Sequence, residues 1–180
     1  MGKLISQMMI SVDGYVEGPN RELDWHVWSE EMEQAAARLL ASVDYILLGR
    51  VTYELFVGYW PTSKDSIAPA LNDLQKVIFS RTLRSVNWSN ASLAEGEPAS
   101  MIRALKERSR KDLVIFGSPT LVSSLVESGV IDEYQVIVNP VAIGAGRPYF
   151  QGLSRRLHLS LERVHQFDCG NVLLTYRPKT

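Results

Sequence analysis

Three short segments carry residue types suited to holding an anion. They read Gly49-Arg50-Val51-Thr52, Ser80-Arg81-Thr82 and Gly117-Ser118-Pro119-Thr120-Leu121. Each stands at the end of a short apolar run, at residues 45–48, 76–80 and 113–116. In an open α/β sheet, ligands collect outside the carboxyl ends of the strands, so the three turns are expected on one side. Helices starting behind Gly49 and Gly117 would offer unpaired N–H groups and a positive dipole end to a phosphate. Arg50 and Arg81 would add charge-assisted contacts, and Thr52, Ser80, Thr82 and Ser118 hydroxyl donors. A single such glycine also serves any turn that needs positive φ. Three turns, two of them with arginine, point to a nucleotide or dinucleotide carrying more than one phosphate. No Gly-x-Gly-x-x-Gly follows the first strand, so the usual dinucleotide fingerprint is missing. Its nearest match, Gly144-Ala145-Gly146, comes late and after a strand.

The elements that must position these turns follow from hydrophobic period. Residues 3–12 read as a strand closed by Asp13-Gly14, and residues 15–24 (YVEGPNRELD) as a loop. Ser29 suits a helix N-cap, with Glu30 and Glu31 in the first turn. Met32, Ala35, Ala36, Leu39, Leu40 and Val43 then recur at helical spacing. Short helices are expected over 52–58 and 67–74, and longer ones from Pro98 to about residue 110 and from Ser118 to Gly129. Residues 134–138 read as a strand and 141–150 as a Gly-rich connection. Residues 157–164 and 172–176 read as a hairpin around Cys169-Gly170-Asn171. Alternating β and α units ending in a hairpin predict an α/β fold. Its central sheet is mixed and mostly parallel, its C-terminal edge antiparallel, and helices lie on both faces.

At 180 residues the chain is expected to form one domain spanning 1–180. A net charge of −1 argues against nucleic acid as a partner, and the basic run 103–111 reads as a solvated helix face. No apolar run approaches the roughly 18 residues that span a bilayer, so no membrane role is expected. The lone Cys169 has no partner for a disulfide or a Cys-based metal site, which fits a reducing cytoplasm. His26, His158 and His165 show no metal-ligand spacing, and no Gly-x-Ser-x-Gly marks a hydrolase.

The chain resembles the dihydrofolate reductase superfamily, in particular the branch similar to the reductase domain of bacterial riboflavin biosynthesis proteins. The resemblance rests on SVDGYVEGP (11–19), DYILLGRVTYE (44–54), VIFSRTL (77–83) and the stretch 113–150, in that order. It implies a three-layer dihydrofolate reductase-like fold, NADPH as cofactor and hydride transfer to a pterin or a ribosylated pyrimidine. By resemblance, Gly49, Arg50 and Thr52 hold the cofactor's phosphates, with Ser80 and Arg81 near the adenosine 2′-phosphate. Gly117, Ser118, Thr120 and Leu121 lie along the pyrophosphate. A cationic, hydroxyl-rich pocket suits a 2′-phosphate, which favours NADPH over NADH.

The resemblance also places Asp13, Gly14, Tyr15, Asp24 and Trp25 over the nicotinamide and substrate. Glu30, five residues after Trp25, takes the position of the carboxylate that faces the pterin, an acid/base role that reduction of a C=N bond needs. Glu30 also reads as a charge favouring the helix N-terminus, and Asp13 is the rival carboxylate, as turn former or substrate contact. His26, Val27 and Trp28 stand where the superfamily pattern has a proline, which leaves a smaller heterocycle open. The aromatics Tyr53, Phe56, Tyr59 and Trp60 read as core, with Tyr59 or Trp60 as an alternative pocket wall. The C-terminal strands offer a sheet edge for a homodimer, which the resemblance also implies. A catalytically silent nucleotide-binding protein is the alternative reading.

Overall fold

The computed structural model describes residues 2–179. In chain order the strands are β1 (Leu4–Ser11), β2 (Tyr15–Glu17), β3 (Val43–Gly49), β4 (Gln75–Phe79) and β5 (Ala91–Leu93). They continue with β6 (Asp112–Phe116), β7 (Glu133–Asn139), β8 (Arg147–Pro148), β9 (Leu159–Gln166) and β10 (Val172–Pro178). The helices are α1 (Glu30–Ala41), α2 (Arg50–Val57), α3 (Ala68–Asp73), α4 (Pro98–Arg108) and α5 (Pro119–Leu125). A 3₁₀ turn, Val126–Ser128, prolongs α5 and stops at Gly129, whose φ of 65° is left-handed.

Eight strands form one sheet in the order β5-β4-β3-β6-β1-β7-β10-β9. Pairing is parallel from β5 through β7 and antiparallel for β7–β10 and β10–β9. The mixed sheet with a C-terminal hairpin is therefore the expected one. Its central strands bury both faces, which is why β3 and β6 read as unbroken apolar runs. One face places Ile5, Ile46, Leu48, Ile78 and Val114 against Leu40 of α1, Tyr53 of α2 and Leu71 of α3. The other places Leu4, Met8, Leu47, Val77, Leu113 and Ile115 against Ile102 and Leu105 of α4 and Leu121, Val122 and Leu125 of α5.

Register gives the sheet a stepped upper edge. β1 pairs with β6 only as far as Gln7↔Phe116, but with β7 as far as Ser11↔Asn139. Four further residues on β1 and β7 make a step about 13 Å high at some 3.3 Å per residue. The ends of β3, β4 and β6 lie at the foot of that step, level through Gly49↔Phe79 and Leu47↔Ile115.

Two expectations are corrected. The 15–24 loop begins with β2, and the Gly-rich connection contains β8; the two pair antiparallel as a separate ribbon. Strands of two and three residues between Gly and Pro are too short to show a period. A Cβ on Gly146 would collide with the Glu17 carbonyl, so the close approach of the two segments requires glycine there. Among the described residues, no helix is long and apolar enough to cross a membrane.

Candidate functional site

The turns after β3 and β6 are knotted together. The Gly49 N–H donates to Ser118 Oγ at 2.8 Å, and the Ser118 N–H donates to Thr52 Oγ1 at 3.1 Å. Ser118 Oγ also donates to its own strand at the Phe116 carbonyl, 3.0 Å away. These bonds hold two consecutive left-handed residues, Gly117 (φ 54°) and Ser118 (φ 58°). Left-handed serine is disfavoured by roughly 1 kcal/mol or more, and three hydrogen bonds offset that cost. Gly49 differs from expectation: its φ is −76°, which any residue adopts. The glycine that the backbone conformation requires is Gly117, and a Cβ there would also sit 3.4 Å from the Thr52 side chain.

Thr52 and Ser118 therefore serve first to hold the two turns in register. The groups here that could meet an anion are the first-turn N–H groups of α2, which no helical carbonyl can reach, and the guanidinium of Arg50. Arg50 Nη1 bonds both oxygens of Glu54, at 3.0 and 2.9 Å, across one turn of α2. Both side chains are nearly half exposed, so the pair contributes little to stability and leaves Arg50 free to exchange partners. The middle of α2 is pinned: Tyr53 Oη donates to Asn87 Oδ1 at 2.8 Å and accepts the Asn87 N–H at 2.9 Å. On the neighbouring strand, Ser80 Oγ accepts the N–H groups of Thr82 and Leu83 and so builds its own turn, with Arg81 exposed beside it. Gly49, Arg50, Thr52, Ser80, Arg81, Gly117 and Ser118 are thus brought to one edge by β4, β3 and β6. Leu121 is buried in the core and can offer only its backbone to a ligand.

A second cluster closes the step from the β1 side. The Asp13 carboxylate accepts the Ser11 hydroxyl at 2.6 Å, the Gly144 N–H at 2.7 Å and the Ile143 N–H at 3.2 Å. The Ser11 bond, with help from the two amides, holds its pKa below the usual carboxylate range. An ionised, fully engaged carboxylate suits a tie between β1 and the Gly-rich loop better than a proton donor. Gly14 follows at φ 88°, and its carbonyl accepts the Tyr149 N–H, which fastens Tyr15 and β2 to β8. Sequence reasoning missed Arg147 here. It donates to Thr120 Oγ1, pairs with Glu17 at 3.6 Å, and lines a cavity of about 190 Å³ with Thr120, Ser123, Tyr149 and Gln151. The only signal in the sequence was an arginine inside a Gly-rich stretch.

The segment from Asp24 to Glu30 lies on the opposite face. Asp24 is exposed, Trp25 Nε1 donates to the Glu22 carbonyl at 3.2 Å, and the Trp25 and His26 rings meet edge-on at 4.4 Å. Ser29 caps α1, accepting the Met32 N–H and donating to Asp168 at 2.6 Å. Glu30 then lines an open groove of about 600 Å³ with Trp28, Ser29, Glu33, Gln34, Ala37 and Ser66. Glu33 crosses that groove to accept the N–H and hydroxyl of Ser66. The two candidate carboxylates belong to different layers: Asp13 leads into β2, whose Val16 joins the core cluster on the α4 and α5 side, whereas Glu30 opens α1.

Known proteins share this fold. The Bacillus subtilis (strain 168) protein YyaP, itself uncharacterized, is 26% identical over 179 residues, 97% of this chain and 94% of that protein. A putative riboflavin biosynthesis protein from Shewanella sp. PV-4 superposes with a TM-score of 0.82 at 18% identity, covering 99% of both chains. A diaminohydroxyphosphoribosylaminopyrimidine deaminase/5-amino-6-(5-phosphoribosylamino)uracil reductase from Thermotoga maritima superposes at 0.71 with 13% identity, over 99% of this chain and 57% of that one. At those identities the two structures speak for the fold alone. The model of the RibD C-terminal domain matches residues 2–173, and the chain belongs to that family.

Proposed function

We propose that the protein is an NADPH-dependent reductase that transfers a hydride to an amino-substituted heterocycle of the pterin or ribosylaminopyrimidine type. The observation that carries this reading is the knot of Gly49, Thr52, Gly117 and Ser118. It aims the open start of α2 and two exposed arginines, Arg50 and Arg81, at one edge of the sheet. The residues present suit the cofactor: Gly117 admits close approach of backbone, and the arginines suit a pyrophosphate and a 2′-phosphate. When bound, the cofactor supplies the hydride. The chain's own task is to hold phosphates at Arg50, Arg81 and the α2 amides, and to orient the acceptor.

For the acceptor, the groove beside Glu30 is the better candidate. It presents an indole ring, two carboxylates, an amide and no lysine or arginine among its lining residues. Such a wall suits a flat ring rich in N–H donors, with Glu30 as hydrogen-bond acceptor and proton source. It favours a pterin-like acceptor over one that brings a phosphate to this wall. A homodimer is proposed through the C-terminal hairpin. On the face of β9 and β10 that carries Leu161, Val164, Leu174 and Tyr176, Leu174 and Tyr176 are partly buried against the core while Leu161 and Val164 are more than half exposed.

Loss of absorbance at the reduced-nicotinamide band with a panel of pterins, pyrimidines and flavins tests the activity. NADPH oxidation with at least one pterin or pyrimidine is expected, slowed about 100-fold by Glu30→Gln. NADPH binding without oxidation across the panel would favour a silent nucleotide-binding protein instead.

A further inference from the structure

Two asparagines with no solvent exposure grip a single residue of the loop that leads to Glu30. Asn139, the last residue of β7, accepts the Val27 N–H on Oδ1 at 2.9 Å and donates Nδ2 to the Ile10 carbonyl at 3.2 Å. Asn171, in the turn before β10, donates Nδ2 to the Val27 carbonyl at 2.9 Å. Both backbone groups of Val27 are therefore satisfied by side chains, one from β7 and one from the turn before β10, and no strand or helix hydrogen bond is spent on them. Two residues downstream, Ser29 is tied to Asp168. Glu31 accepts the Asp168 N–H at 2.8 Å and meets His165 Nε2 at 3.0 Å.

The whole run from Val27 to Glu31 is thus stapled to one end of the β9–β10 hairpin. Asn171 bears a cost for this: its Oδ1 is buried and has no partner among the described residues. A residue present only for packing would be apolar there, since burying an unpaired amide oxygen is unfavourable. An asparagine is needed where the loop backbone itself must be held.

We infer that Asn139 and Asn171 are positioning residues that fix the Trp25–Glu30 segment, and with it the acceptor wall, while contributing nothing to the cofactor edge. The functional part of this inference rests on the proposed reductase activity. Held from both sides, Val27 fixes where Trp28 and Glu30 stand, and misplacement of a substrate wall by an ångström lowers rates by up to about 100-fold.

Hydrogen exchange on the wild-type protein tests the clamp without any substrate. The Val27 amide, although in a loop, exchanges at least about 100-fold more slowly than an unprotected amide. Exchange at the unprotected rate overturns the clamp. In Asn171→Leu, Val27 exchange accelerates and acrylamide quenches Trp25 and Trp28 more readily. The KM for the acceptor rises about tenfold or more, and the Kd for NADPH stays within about twofold. A released Val27 with an unchanged KM, or an NADPH Kd that weakens in step with KM, refutes the positioning role. If Asn171→Leu does not fold, Asn139→Ala, which removes one acceptor, carries the same expectations. If the wild type turns over no acceptor, the activity reading fails by itself, and exchange and quenching still decide the clamp.

Discussion

The Ser118 hydroxyl accepts the Gly49 amide at 2.8 Å, joining the ends of two neighbouring parallel strands through one side chain. Ser118→Ala leaves that amide without its partner and keeps the left-handed backbone. The expected loss is about 1–3 kcal/mol in chemical denaturation, together with weaker NADPH binding because the turns separate. Ser118→Gly loses the same bonds and relieves the left-handed backbone, so it should be less destabilised than Ser118→Ala. Equal losses in the two variants would contradict the strained conformation of Ser118.

Lys76 is buried in β4 with its ammonium donating to the carbonyls of Leu71, Asn72 and Leu74 at 2.7 to 2.8 Å, under the Trp88 ring. Lys76→Met strands those carbonyls at the C-terminal end of α3, and a loss of about 2–4 kcal/mol is expected. Burial pushes the Lys76 pKa down to about 8, with Asp73 opposing the shift. Between that value and the usual 10.5, the unfolded chain holds the proton and the folded chain does not. Folded stability therefore gains from this group as pH rises through that window. Denaturation at pH 8 and pH 10 should show the wild type gaining relative to Lys76→Met.

His26 follows the same sign at lower pH. Burial lowers its pKa, and its Nε2 has no partner among the described residues. Above the ordinary histidine pKa of about 6.5 both states are neutral and nothing is lost; below it the unfolded chain takes up the proton first. Acidification through that range should destabilise the fold and loosen the Trp25–Trp28 segment. The tryptophan emission of wild type should shift between pH 7 and 5, and His26→Phe should remove most of that shift.

The parts of this molecule that were legible from residues are those that repeat a physical pattern. Ser29 as N-cap of α1, Pro98 opening α4 and Gly129 closing the turn after α5 follow from local backbone chemistry, and the structure has all three. The strand ends at Gly49, Phe79 and Phe116 stood out because buried parallel strands are apolar throughout and stop sharply. Contacts between distant segments were not legible. Thr52 and Ser118 read as phosphate donors, yet they bond across the knot, a pairing separated by 66 residues. Arg147 with Thr120, and Asn171 with Val27, depend on a ribbon and a turn that no periodicity announces. Glu54 reads as a residue without a role until the helix places it one turn from Arg50.

Arg50, paired with Glu54 across one turn of α2, is the residue on which cofactor binding is tested most directly. NADPH and NADH are titrated into the purified protein and into Arg50→Ala, with binding followed by calorimetry. Wild type is expected to bind NADPH more tightly than NADH. Arg50→Ala should lose about tenfold or more in NADPH affinity, as removal of a charge-assisted contact does. Absence of NADPH binding by the wild type, or an NADPH affinity unmoved by Arg50→Ala, would contradict the proposed cofactor site.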